Sequence, residues 1–280
     1  MKQFLPLLLM LSFSLPGFAA SSAKLWTQVT EPADSGGMAQ SIGGYSAGCL
    51  SGAVKLPVDG EGYQAMRLSR QRLYGHPDLI RFIEKMGAEA AARGWGELLI
   101  GDLGQPRGGP TLSGHRSHQT GLDVDIWYLL SPQAAQRTLT FEEREQWGAP
   151  SVLAAKSDNI NFSQWLPAHE QLLEIAARSP EVERIFVNPG IKRQLCRRET
   201  GRDWLNKIRP WWQHDDHFHV RLKCPENSPY CENQEAIPPG DGCDASLAWW
   251  FSSEARTPAP RKTPALEPKL PIQCERVLNQ

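Results

Sequence analysis

Two short stretches of strict alternation constrain this chain more than anything else in it. Residues 217–222 read His-Phe-His-Val-Arg-Leu. Side chains alternate across a strand, so Phe218, Val220 and Leu222 share a core-facing side and His217, His219 and Arg221 share the other. Residues 122–129 alternate too, with Leu122, Val124 and Ile126 on one side and Asp123, Asp125 and Trp127 on the other. Both stretches predict half-buried strands. Two imidazoles on one strand face can meet one ion, or one can bind it while the other reaches its water.

The second strand is preceded by His118-Gln-Thr-Gly121. His118 and Asp125 are seven residues apart, an odd spacing that would point them to opposite faces of one straight strand. A turn at Gly121 is therefore required if both are to meet one metal. Together His118, Asp125 and one imidazole of the His217/His219 pair make the nitrogen, oxygen and nitrogen donor set that catalytic zinc prefers, with the other imidazole to spare. Three protein ligands leave one coordination position open, which separates a hydrolytic zinc site from a structural one. His115, three residues before His118, is a further candidate as an additional ligand, a support for one, or a substrate contact. His214 is a candidate for orienting the site. A lone His or Asp is more often solvated or hydrogen-bonded than a ligand, but only His76 and His169 stand apart from the two histidine clusters.

Other chemistries find less support. His169-Glu170 begins like a zincin motif, but position 173 is Leu, so His-Glu-x-x-His is absent. Ser113 and Ser117 lie near histidines, yet no Gly-x-Ser-x-Gly elbow surrounds them. The glycine-rich stretch 101–114 lacks phosphate-loop spacing and reads as a loop bordering a cleft. Arg72, Arg107 and Arg116 are candidates for holding a substrate carboxylate.

The N-terminus reads as an export signal. Met-Lys-Gln leads into the apolar run 4–15 and the small-residue exit Pro-Gly-Phe-Ala-Ala, with cleavage expected after Ala19 or Ala20. The run is too short to span a bilayer comfortably, and no cysteine follows the cleavage region to carry a lipid anchor. The whole chain has 30 basic and 31 acidic residues. Losing Lys2 leaves 29 against 31, a charge of −2, which gives no reason to expect nucleic-acid binding. Six cysteines remain at 49, 196, 224, 231, 243 and 274. An even number in an exported chain implies disulfides, and six allow fifteen pairings that spacing cannot choose among, although Cys224–Cys231 is the natural local guess.

Helical spacing over 77–93, with Pro77 in the first turn, predicts a helix. Further helices are expected over 167–176 and from Pro189 to Cys196, and short strands at 98–100 and 185–187. From Ser252 the chain turns rich in proline, lysine and glutamate, and Thr257–Pro271 reads as an extended wrap, with Cys274 tying it back to the body. The expected organisation is a signal peptide over 1–20, a catalytic domain over 21–251 and a tail over 252–280. The expected fold class is α+β: a small central antiparallel sheet carrying the ligands on one face, peripheral helices, and long disulfide-tied loops.

The His-x6-Asp and His-x-His pair resembles the signature of the metallopeptidase group that joins lysostaphin-type peptidases, D-alanyl-D-alanine peptidases and the hedgehog signalling domain. Longer strings are similar to the penicillin-insensitive murein endopeptidase family. They are Gly75-His76-Pro-Asp-Leu, Leu98-Leu-Ile-Gly-Asp102, Ser117-His118-Gln-Thr-Gly-Leu-Asp-Val-Asp125-Ile, Ile185-Phe-Val-Asn-Pro189 and Arg209-Pro-Trp-Trp. The similarity covers roughly residues 25–250. It implies zinc held by His118, Asp125 and His219, a catalytic role for His217, and disulfides Cys49–Cys274, Cys196–Cys243 and Cys224–Cys231. It also implies a periplasmic enzyme acting on peptide cross-links of peptidoglycan, typically D-alanyl–meso-diaminopimelyl bonds. Some members of the family carry further metal-binding residues, and Asp158 could match one of them. Two alternatives stay open: a D,D-carboxypeptidase or dipeptidase of the same group, or a non-catalytic wall-binding module with a zinc site like that of hedgehog.

Overall fold

The computed structural model describes residues 22–112, 116–257 and 269–280. The expected signal peptide, His115 and most of the proline-rich stretch 257–271 lie outside the described residues. In chain order the strands are β1 (Gln40–Gly44), β2 (Ala47–Ser51), β3 (Val54–Lys55), β4 (Asp59–Gly60), β5 (Tyr63–Ala65), β6 (Tyr74–Gly75), β7 (Leu98–Ile100), β8 (Asp123–Trp127), β9 (Val182–Val187), β10 (Ile208–Pro210) and β11 (His217–Leu222). The helices are α1 (Ser22–Thr27), α2 (Pro77–Ala92), α3 (Phe141–Gln146), α4 (Pro167–Arg178), α5 (Pro189–Leu195), α6 (Ala245–Trp249), α7 (Ser253–Arg256) and α8 (Ile272–Leu278).

The central sheet is larger than the sequence suggests and is not purely antiparallel. Seven strands lie in the order β10-β9-β11-β8-β7-β5-β4. The β10–β9 and β5–β7 pairs are parallel, while β11 is antiparallel to both β8 and β9. Helices expected at the periphery sit in the crossovers: α2 in the connection from β5 to β7, and α5 in that from β9 to β10. A crossover returns the chain in the same direction, so each helix converts a would-be hairpin into a parallel pair. The expectation of a small antiparallel sheet is corrected on that ground.

The alternating strands bury their apolar side as expected. Val124, Ile126, Phe218, Val220 and Leu222 join one core with Leu79, Phe82, Ile83 and Met86 of α2 and Leu172, Leu173 and Ala176 of α4. Pro77 supplies the first turn of α2 and the His76 side chain caps it, accepting from the Asp78 amide at 3.2 Å. Gly87 inside α2 costs helix propensity but lets the helix meet the turn before β5, since a Cβ there would lie 2.3 Å from the Glu61 carbonyl oxygen. On the other side of these strands, Arg221 lies over the Tyr45 ring in the turn between β1 and β2, and Trp127 packs in a separate small core with Met66 and Leu99.

Three disulfides join Cys49 to Cys274, Cys196 to Cys243 and Cys224 to Cys231. The first brings α8 onto β2 and forms a second small core with Trp26, Ile42 and Val277. Arg107 adds to this tie by donating to the carbonyls of Val277 and Leu278. The end of the tail is thus a packed helix, whereas the extended reading of Thr257–Pro271 falls mainly on residues outside those described. Among the described residues, no helix is long and apolar enough to cross a membrane.

Candidate metal centre

The register of β8 against β11 builds the site. In this antiparallel pair His219 stands opposite Asp125, and Arg221 opposite Asp123. Directly opposed side chains on one face start about 5 Å apart, close enough for short side chains to meet. His219 Nδ1 lies 3.1 Å from Asp125 Oδ1.

His118 arrives by the loop before β8. It has a left-handed backbone, φ 68°, as does Gly121, φ 69°. A Cβ on Gly121 would lie 2.3 Å from Leu50 Cδ2 and 3.1 Å from the His76 amide nitrogen at a left-handed φ, so glycine is favoured at this turn. Gln119 anchors the loop to the hairpin: its side chain accepts from the Gly48 amide at 3.2 Å and donates to the Ser46 carbonyl at 3.0 Å. The turn resolves the odd spacing, and His118 Nε2 comes to 3.6 Å from the same Asp125 Oδ1.

One atom each from His118, Asp125 and His219 therefore lies within 4.8 Å of the other two, and all three residues are buried. Four tetrahedral donors at about 2.0–2.1 Å from zinc sit roughly 3.3 Å from one another. The separations of 3.1 and 3.6 Å to Asp125 bracket that value.

Asp123, which sequence reasoning did not single out, holds the arrangement. Its carboxylate accepts from His219 Nε2 at 2.6 Å, from Arg221 Nε at 2.6 Å and from the His118 amide at 3.2 Å. Burial works against its ionisation, but Arg221 and the His219 hydrogen bond hold it well below the usual carboxylate range. An ionised carboxylate can only accept, so His219 carries its proton on Nε2 and turns the Nδ1 lone pair toward Asp125. Two acceptors 3.1 Å apart repel, and either a second ring proton or a metal cation must sit between them. The geometry and donor set thus fit a bound metal cation. The signal for Asp123 was a second acid on the Asp125 side of an alternating strand.

His217 stands at the edge of the set and is half-buried. Its Nε2 is 3.7 Å from Asp125 Oδ1, and its Nδ1 donates to Asp216 Oδ1 at 2.5 Å. Burial disfavours its charge, yet Asp125, Asp216 and Asp215 outweigh burial and raise its pKa to about 9. Asp216 was also missed, because a carboxylate next in sequence says nothing about where it points. Burial lowers His118, but Asp125, Asp123 and Asp102 override it and raise the group. His214 adopts a left-handed φ of 48° and donates through Nδ1 to the Trp212 carbonyl at 2.9 Å. Its ring centroid is 4.9 Å from that of His217. Burial, with His217 and His219 beside it, pushes His214 down to about 4. Asn188 pins this loop, donating from its side chain to the Gln213 carbonyl and from its amide to that of His214.

Other expected residues fall elsewhere. Asp158 pairs with Arg256 and lies outside the ligand set. Arg72 donates to Asp102 at 3.0 Å, as does Arg70, and Asp102 receives the Asp125 amide through its backbone carbonyl. Arg116 is exposed.

The family model for penicillin-insensitive murein endopeptidase matches residues 41–279. A penicillin-insensitive murein endopeptidase of Klebsiella pneumoniae is 44% identical over 283 residues, covering 100% of this chain and 99% of the relative. One from Citrobacter koseri is 45% identical over 265 residues, covering 94% and 93%. One from Escherichia coli is 43% identical over 276 residues, covering 96% and 97%. Matched over most of its length by the family model and by relatives at 43–45% identity, this chain belongs to the penicillin-insensitive murein endopeptidase family.

Proposed function

We propose that this protein is a zinc-dependent endopeptidase that hydrolyses peptide cross-links of bacterial peptidoglycan, of the D-alanyl–meso-diaminopimelyl type. The observation that carries the reading is the convergence of His118 Nε2 and His219 Nδ1 on one oxygen of Asp125, with His217 Nε2 3.7 Å from that same oxygen. Family membership supports the substrate class.

His118, Asp125 and His219 are the metal ligands in this reading. The chemistry that zinc would supply there is polarisation of the scissile carbonyl and a lowering of the pKa of water toward about 7. His217 is the catalytic residue. Asp216 fixes its Nδ1 as the donor, and a cation held by Asp125, the carboxylate that most raises this ring, would leave Nε2 neutral with a lone pair aimed at the centre. That nitrogen takes the proton of the attacking water and returns it to the departing amine. Asp123 keeps His219 in the ligating tautomer, and His214 packs against the His217 ring and limits its rotation.

Residues 1–20 act as a cleaved export signal in this reading, 21–251 as the peptidase and 252–280 as a tail held by Cys274. The site of action is the periplasm. A scaffold that only bound the wall would have no use for a base beside the metal, so His217 favours the enzyme.

The test is incubation of zinc-loaded protein with cross-linked muropeptide dimers, with and without chelator, followed by mass analysis. Conversion of dimers to monomers that chelator abolishes and zinc restores is expected. Loss of one terminal residue with the cross-link intact would make it a carboxypeptidase. Bound zinc without cleavage would leave a binding module. His217→Ala should keep zinc and lose hydrolysis.

A further inference from the structure

One side of the candidate centre continues into an aromatic strip that the proposed chemistry does not use. Phe186 stands opposite His219 across β9–β11, with ring centroids 5.3 Å apart. Trp211 follows at 6.0 Å from Phe186, Trp250 at 6.1 Å from Trp211, and Trp249 at 5.5 Å from Trp250. Trp212 backs the strip, 5.4 Å from Trp250. Its outer members are open: Trp211 is 55% exposed and Trp249 is 47% exposed. Indoles are large apolar groups that folding normally covers at least in part, and an exposed cluster contiguous with a site marks a contact surface.

The strip is rigidly mounted. The Cys196–Cys243 disulfide fastens the segment before α6 to the end of α5. The buried Lys192 donates to the carbonyls of Leu205 at 2.6 Å and Asp241 at 2.5 Å, tying that segment to the body a second time. Asp244 caps α6, accepting from the Ser246 amide at 2.9 Å. Trp249 and Trp250 are carried by this braced element, and Trp211 follows directly on β10.

We infer that Trp211 and Trp249 form a subsite for the glycan strand of peptidoglycan, beside the centre that cuts its peptides. The inference rests on the proposed substrate class. The cross-link itself offers alanine methyl groups and the charged ends of diaminopimelate, neither of which fills an aromatic wall. The components of the polymer that do are its pyranose rings, whose C–H faces complement the electron-rich face of an indole while their hydroxyls stay in water. A subsite for sugar next to the centre would hold the polymer while the stem peptide reaches the metal ligands.

The first experiment is calorimetric titration of the protein with peptide-free glycan strands, which needs no hydrolysis. Binding is expected, weakened about 10-fold by Trp249→Ala and by Trp211→Ala and largely retained by Trp249→Phe. The second compares kcat/KM for cross-linked dimers that carry disaccharides with the same dimers stripped of sugar. The wild type should favour the sugar-bearing dimer, and both alanine variants should bring that ratio toward 1. Strands that do not bind, or variants that bind them like the wild type, overturn the subsite even if dimers are cleaved. An equal loss on both dimers also overturns it, since it marks a structural role. Tryptophan-dependent strand binding without any dimer cleavage supports the subsite while removing the endopeptidase reading.

Discussion

Two buried regions of this protein are built around histidine, and they behave in opposite ways. His118 and His219 face Asp125, with Asp123 behind them, and burial at His118 is overridden by the carboxylates. His169 is equally enclosed at the start of α4, but its partners are neutral. Its Nδ1 accepts from the Leu166 amide at 2.9 Å and its Nε2 donates to the Tyr128 carbonyl at 2.6 Å. Without a carboxylate, burial lowers it to about 4 and it stays an uncharged brace. The company a histidine keeps, rather than its depth, separates a candidate ligand from a structural residue. His76, capping α2, keeps one carboxylate, Asp78 at 3.4 Å, and burial still lowers it.

That contrast can be broken at several points. Asp125→Asn should remove tightly bound metal and lower kcat/KM by at least about 1000-fold, whereas His169→Gln should keep its metal. Metal content by mass spectrometry decides between them, and loss of metal from the His169 variant would erase the distinction. Arg221→Met should be the most damaging change to stability near the centre. It leaves the Asp123 charge buried without its cation, a loss of about 3–5 kcal/mol, readable as a fall in the urea midpoint of the metal-free protein.

Acid should act through His169. The unfolded chain takes up its proton near 6.5 and the folded one only near 4, so its stability is intact above 6.5 and is lost as pH falls through that window. The full loss approaches about 3 kcal/mol, and His169→Gln should flatten that part of the stability–pH curve. The smallest effect belongs to Asp123→Asn. An amide there no longer forces the proton of His219 onto Nε2, and zinc affinity should fall about 10–100-fold in a competition titration against a chromophoric chelator.

Much of the local structure was legible because it depends on neighbours in the chain. Alternation placed β8 and β11, the Pro77 start and apolar spacing placed α2, and the odd interval from His118 to Asp125 demanded the turn that Gly121 makes. The parallel pairs were not legible, because a strand reads the same whether its partner returns through a hairpin or a crossover. Asp216 was hidden for a similar reason: an acidic side chain beside a histidine is common, and only the fold turns it onto the ring. The strip from Phe186 to Trp249 joins residues more than sixty positions apart, so the tryptophan pairs alone could as well have been core.

By itself the sequence determined which side chains share a strand face, that the chain must turn at Gly121 between His118 and Asp125, and that the cysteines are even in number. Those properties follow from steric and periodic rules acting over a few residues. Only the tertiary structure decided that His219 stands opposite Asp125 and Arg221 opposite Asp123. A shift of one residue in that pairing would have turned Asp125 toward Val220 and dispersed the set, and the register is held by the burial of Phe218, Val220 and Leu222 against α2 and α4.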